Sequence, residues 1–252
     1  LKYNKKCEKM TKPISMLMVQ AWDGEVLDHF VSPPLGIHRI RKWLQDKFGD
    51  KVDIECYDPN PYHDGRARLS RKVQEKNYDV IAFSPLHFTL ENDLALMYDV
   101  EGVVNPKTLF IAGGQQSAFG ENMLMDNFPS LDIVVLGEGE KPMAGIVEKL
   151  LKYGASEIKN NHRLLSDVSG LYLRQLGQWT GLNIQLTGEE FVEATKLVDF
   201  TDVDQQVYWD ILSSFYTAEQ LATLEWQQKI FTIKPYTTNF CPMDCSFCST
   251  TN

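Results

Sequence analysis

Three cysteines near the end of the 252-residue chain form its densest group of reactive side chains: Cys241-Pro-Met-Asp-Cys245-Ser-Phe-Cys248. Spacings of four and three let three thiolates converge on one metal centre from a single loop. Soft sulfur donors select iron–sulfur clusters, zinc or Cu(I). Structural zinc takes four protein ligands, and no fourth cysteine or nearby histidine follows. Three ligands suit a four-iron cluster with one iron left open. Zinc or another metal, and incidental thiols, remain the alternatives. Cys7 and Cys56 are isolated, and five cysteines so unevenly placed do not make a disulfide scaffold.

A second set of residues is spread along the chain. It comprises Pro33-Pro-Leu-Gly-Ile37, Ser84-Pro-Leu-His-Phe-Thr89, Gly113-Gly-Gln115 and Gly137-Glu-Gly-Glu140. Glycines let backbone approach a bulky ligand, and helix starts offer amide donors. Read alone, a Gly-Gly after a strand is a turn, and an acidic residue at a helix start favours the helix dipole. Among the histidines, His87 falls in one of these loops, whereas His29, His38 and His63 read as surface or helix-face residues. There is no Ser/His/Asp or Cys/His hydrolytic arrangement and no phosphate loop ending in Lys-Ser/Thr.

Strand and helix signals alternate through the first ~150 residues. Apolar runs at 14–20, 52–57, 80–83, 108–112 and 133–136 read as five strands. Between them, Ile37, Ile40, Leu44 and Phe48 recur at helical spacing, as do Leu94, Met97, Val100 and Val104. A polar helix is expected over 64–76, a short one over 121–128, and one after Pro142 that buries Met143, Ile146, Val147, Leu150 and Leu151. Short, nearly all-apolar strands joined by helices predict a doubly wound, five-stranded parallel α/β sheet. Chemistry in such folds gathers at the carboxyl ends of the strands. The last three polar pieces lie directly in those loops. Beyond ~155 the texture changes. Residues 168–173 and 179–186 read as a hairpin turning near Gly177, and 187–230 as acidic and aromatic with helices, one starting near Ala218 behind a capping-box pattern, Thr217 to Gln220. Residues 231–236 read as the strand leading into the cysteine loop. The expected organisation is therefore an α/β domain over 14–155, a hairpin and helical connector over 156–230, and the start of a further domain over 231–252.

The cysteine loop resembles the C-x-x-x-C-x-aromatic-C signature of the radical S-adenosylmethionine (radical SAM) enzymes, with Phe247 in the aromatic position. The four polar pieces, in this order, resemble the cobalamin-binding domain that precedes the barrel in many of these enzymes. This second resemblance spans residues ~14–152. Together they imply that Cys241, Cys245 and Cys248 bind a [4Fe-4S] cluster whose open iron is chelated by S-adenosyl-L-methionine. They further imply a Rossmann-like domain holding cobalamin, with Ser84, Thr89, Gly113, Gly114, Gly137, Glu138 and Gly139 lining its site. Cobalamin domains that supply a histidine to cobalt carry D-x-H-x-x-G, and neither Asp28-His29 nor His63-Asp64-Gly65 matches. The resemblance thus implies cobalamin bound without a protein histidine ligand. The implied activity is hydrogen abstraction from an unreactive carbon, with methyl transfer as one outcome, fed by an external electron donor. A cobalamin carrier or sensor without catalysis, and a radical SAM enzyme that has lost cobalamin, are the alternatives.

Composition sets the outer limits. With 25 Lys+Arg against 34 Asp+Glu the net charge is −9, which argues against broad binding to nucleic acid or anionic membranes. No apolar run approaches the ~18 residues of a membrane span, and no signal peptide is visible. A cytoplasmic protein is expected. The chain starts at Leu1 and stops four residues after Cys248, and the expectation is a front portion of a longer enzyme, catalytically incomplete by itself.

Overall fold

The computed structural model describes residues 12–24, 32–114, 121–182 and 185–223. Its centre is β1 (Ile14–Gln20), flanked by β2 (Val52–Tyr57) and β3 (Val80–Ser84), with β4 (Leu109–Ala112) and β5 (Ile133–Val135) continuing outward from β3. All four of these pairings are parallel. The order β2-β1-β3-β4-β5 reverses direction at β1, which places the switch point, where such sheets accept ligands, between β1 and β3.

The period-two geometry of a strand divides β1 between two cores. Met16 and Met18 point to one layer, where α1 (Leu35–Phe48) and α5 (Glu140–Tyr153) contribute Ile37, Leu44, Met143, Ile146, Val147 and Leu150. Leu17 and Val19 point to the other, which holds Leu69 and Val73 of α2 (Gly65–Glu75), Leu96, Met97 and Val100 of α3 (Leu90–Glu101), and Leu124 and Met125 of α4 (Glu121–Asn127). Burial on both faces is why β4 and β5 read as unbroken apolar runs, whereas the edge strand β2 alternates, with Asp53 exposed. The five strands and five helices expected from periodicity are all present.

The sheet is larger than expected. A hairpin of β6 (Leu171–Leu173) and β7 (Gln178–Trp179) adds antiparallel to β5, giving seven strands. This pairing joins the hairpin, read from sequence as part of the connector, to the sheet. The backbone of β5 would otherwise be an open edge, and Leu171 and Leu173 are fully buried in the first core. The intervening α6 (Ala155–Asn160) and a 3-10 turn at His162–Leu165 also pack there through Ala155, Ile158 and Leu165. The α/β unit thus continues past residue 155.

Three helices follow: α7 (Gly188–Thr195), α8 (Gln205–Ser214) and α9 (Ala218–Thr223). The capping box expected before α9 is formed, Thr217 N–H to Gln220 Oε1 at 2.8 Å and Gln220 N–H to Thr217 Oγ1 at 3.1 Å. Among the described residues no helix is long and apolar enough to cross a membrane.

Candidate functional site at the carboxyl edge

The loops leaving β3, β4 and β5 meet at one end of the sheet. Ser84 ends β3, half-buried, and Gly113-Gly114 follow β4. Gly114 has φ +76°, and a Cβ there would lie 2.7 Å from Ser84 Oγ, so the two loops are in direct contact. Gly113 approaches Val135 at the end of β5, with 3.7 Å from an added Cβ to the valine Cβ. Gly137 is exposed, also at positive φ (+69°), where only glycine is unstrained. Ser84, Gly113, Gly114 and Gly137 therefore form a small-residue strip along the edge with accessible backbone.

The other three candidates are engaged internally. Thr89 is buried, and its hydroxyl donates to Asp93 Oδ2 at 2.7 Å. Glu138 accepts the Leu186 N–H through Oε2 at 2.6 Å, which attaches the start of the connector to the loop after β5. Gly139 lies under α1, where a Cβ would come within 2.6 Å of Ile40 Cδ1. Beside it, the fully buried Glu140 is ion-paired with Arg39.

Two residues that sequence reasoning missed organise this edge. Asp93, 3% exposed, accepts the Trp22 N–H on Oδ1 at 2.7 Å, and on Oδ2 the Leu86 N–H at 3.2 Å in addition to the Thr89 hydroxyl. Burial pushes its carboxyl up to about 7, against the lowering effect of these three donors. Asn60, 4% exposed, donates through Nδ2 to Ala21 O and Asp58 Oδ1, both at 2.7 Å, and accepts the Asp23 N–H at 2.9 Å. In sequence Asp93 is one more acid in the first turn of a helix and Asn60 one residue of a Pro-rich turn. Only the tertiary contacts distinguish them from solvated residues.

Histidine placement bears on metal ligation. His38 is buried on α1 beside Asp199 O (3.2 Å) and the Phe200 ring, and desolvation lowers its pKa to about 4. Of the surface or helix-face placements expected for it, His38 takes the helix face, turned inward. His162 lies 3.5 Å from Asp132, the residue preceding β5 at the opposite edge of the sheet. His63 and His87 are exposed, and His87 is in the loop after β3. No group of three or more metal-ligating side chains occurs among the described residues. Cys241, Cys245 and Cys248, with the strand expected before them, and His29 lie outside the described residues.

Known proteins resemble this chain over the sheet domain. Residues 29–147 match the family profile described as B12 binding domain. The anaerobic magnesium-protoporphyrin IX monomethyl ester cyclase of Cereibacter sphaeroides is 26% identical over 203 residues, which are 79% of this chain and 28% of that protein. The solved structure of the cobalamin-dependent S-adenosylmethionine radical enzyme OxsB with aqua-cobalamin and S-adenosylmethionine bound superposes with a TM-score of 0.54 at 16% identity. It covers 79% of this chain and 26% of OxsB. The apo, selenomethionine-labelled form gives 0.51 at 18% identity, covering 71% and 23%. The chain thus spans about a quarter of the length of these relatives. Its residues 29–147 are similar to B12 binding domains, and its fold is similar to the matching part of the cobalamin-dependent S-adenosylmethionine radical enzyme OxsB.

Proposed function

We propose that this chain is the cobalamin-binding portion of a radical SAM enzyme, with cobalamin on the carboxyl edge of the sheet and a [4Fe-4S] cluster on Cys241, Cys245 and Cys248. The observation that carries the reading is the B12 binding domain match on a sheet whose edge gathers Ser84, Gly113, Gly114 and Gly137. Cobalamin without a histidine to cobalt is the reading the absent D-x-H-x-x-G pattern supports: His38 faces the connector and His162 lies near Asp132 ahead of β5, while His63 and His87 are exposed in the loops after β2 and β3 outside any such pattern. Ser84 and the backbone amides around Gly113, Gly114 and Gly137 would hold the ligand, and Thr89, Glu138 and Gly139 would shape the loops around it. When bound, the cofactors supply radical and methyl-transfer chemistry, and the protein's part is to orient them and exclude water. The cysteines would leave one iron open for S-adenosyl-L-methionine, and an external donor would supply the electron. A thiolate cluster requires a reducing compartment, which makes the cytoplasm the proposed location.

Anaerobic purification with cobalt and iron quantified together tests the reading. The expected result is cobalamin with a base-off spectrum, unchanged by His29→Ala or His63→Ala, and about four irons per chain after reconstitution of the longer protein. Cys245→Ala is expected to abolish stable cluster assembly. Cobalamin without iron would instead make the protein a carrier or sensor, and iron without cobalamin a radical SAM enzyme that uses the sheet only as scaffold.

A further inference from the structure

Three consecutive residues leaving β1 are held by two buried side chains from opposite sides. Ala21 O accepts from Asn60 Nδ2 at 2.7 Å, the Trp22 N–H donates to Asp93 Oδ1 at 2.7 Å, and the Asp23 N–H donates to Asn60 Oδ1 at 2.9 Å. Asn60 follows β2 and Asp93 belongs to α3, which follows β3. The two residues therefore grip the loop after β1 at the point where the strand order reverses. Satisfying buried backbone groups is required of any loop. Here the same carboxylate does more, because Asp93 Oδ2 takes the Leu86 N–H and the Thr89 hydroxyl, fixing the loop after β3 as well. That loop in turn touches the one after β4, since both Ser84 Oγ and Pro85 O border the Cβ position of Gly114.

We propose that Asn60 and Asp93 are positioning residues for the cobalamin edge, holding the loops after β1 and β3 in the geometry that receives the ligand. The proposal rests on the cobalamin reading above. Pre-setting loops lowers the ordering cost of binding, so such residues act on affinity without touching the ligand. The two oxygens of the Asp93 carboxylate accept from three donors only when both are free of a proton. A proton on Oδ2 redirects the Thr89 hydroxyl toward Leu86 O, 3.4 Å away, and displaces the Leu86 N–H. The negative charge of Asp23 in the loop after β1 also acts on Asp93, in the same direction as burial.

The experiment is a titration of the 252-residue chain with methylcobalamin, whose upper ligand does not ionise near neutrality, followed by absorbance from pH 6 to 8. Affinity is expected to tighten severalfold as Asp93 ionises through pH about 7. In Asp93→Asn, whose single carbonyl oxygen serves fewer donors, affinity should fall about tenfold or more and lose its pH dependence. Asn60→Ala should weaken binding while retaining that dependence. A variant that only loosened the fold would not flatten the profile selectively. The profile of the unaltered chain keeps the proposal testable even where a variant fails to fold. Binding by the unaltered chain with no pH dependence, or equal affinity in folded variants, overturns the positioning role alone. No binding by the unaltered chain at any pH overturns the cobalamin reading and this role with it.

Discussion

The Tyr208 hydroxyl donates to Asp58 Oδ2 at 2.7 Å, joining α8 to the loop after β2 across 150 residues of sequence. Asp58 is buried, and burial raises its pKa against the opposing pull of Tyr208 and Asn60. The same stretch of connector is fixed to α1 by Arg41, which pairs with Asp202 and donates to Asp199 O at 2.6 Å. The connector is therefore seated on the sheet domain by polar contacts, buried at Asp58–Tyr208 and half-buried at Arg41–Asp202, on the side of β2 and α1.

Tyr208→Phe keeps the ring and removes the donor, leaving Asp58 with only its Asn60 partners. Loss of a partner from a buried acceptor costs about 1–3 kcal/mol. Denaturant unfolding should show a loss of that size, with faster proteolysis across 199–214. Gln206→Ala, on the exposed side of the same helix where the Gln206 side-chain amide bonds Asp210, should change stability by no more than about 0.5 kcal/mol. Equal effects from the two would show that the hydroxyl does not seat the connector.

Two buried groups should oppose one another in acid. His38 titrates at about 4 when folded and about 6.5 when unfolded, so its contribution is fully present above pH 6.5 and is lost as the pH falls toward 4. Asp93 titrates at about 7 when folded and about 3.9 when unfolded, so its contribution is present below pH 4 and is lost as the pH rises toward 7. Across pH 4–6.5 the two slopes have opposite signs and largely cancel. Asp93→Asn should therefore unmask stability that increases with pH, and His38→Gln stability that decreases with pH, each by at most about 1.4 kcal/mol per pH unit. Urea unfolding at several pH values measures both. Identical pH dependence in the two variants would refute the assignment.

The layering of the fold was legible because it rests on periodicity. Ile37 and Leu44, or Met97 and Val100, face the sheet at the spacing that the sequence displays. The place of the glycine loops was legible because the apolar runs of β4 and β5 show where each strand ends. What the sequence hid was long-range partnership. Leu171-Tyr-Leu173 reads as a hairpin strand whether it pairs with β5 or stands apart, and a polar residue such as Asp93, Asn60 or Thr89 reads alike whether it faces a ligand or another side chain. Nothing local in Arg41 announces Asp202 as its partner either.

Arg39 and Glu140 show what such a hidden pair costs to break. Glu140 is fully buried at the start of α5, and its Oε2 has no hydrogen-bond partner among the described residues. Its compensation comes from Arg39, which also lies 5.4 Å from the centroid of the Phe191 ring on α7. Arg39→Ala should therefore strand a buried charge and cost about 3–5 kcal/mol. Replacing both members with leucine should cost less than Arg39→Ala alone, since no charge is then left unpaired. Denaturant midpoints of the two proteins decide it, and a double variant weaker than the single one would show that the pair contributes more than mutual neutralisation.

Phe88 is the exposed side chain in the best position to meet a ligand at this edge. It is 69% exposed in the loop after β3, yet that loop is anchored on either side of it, at Leu86 and Thr89, by Asp93. An aromatic ring so exposed contributes little to folding, so Phe88→Ala should leave stability within about 0.5 kcal/mol. Covering the ring with the apolar part of a large ligand would be worth about 1.5–3 kcal/mol. On the cobalamin reading, Phe88→Ala should thus weaken methylcobalamin binding by roughly tenfold to a hundredfold at unchanged melting temperature, the factor that this energy implies. The same substitution is a cleaner probe of the edge than any at Gly114, where φ +76° and the neighbouring Ser84 Oγ make a larger residue strain the fold itself. Unaltered affinity in Phe88→Ala would place the ligand away from the loop after β3, toward Gly113 and Gly137.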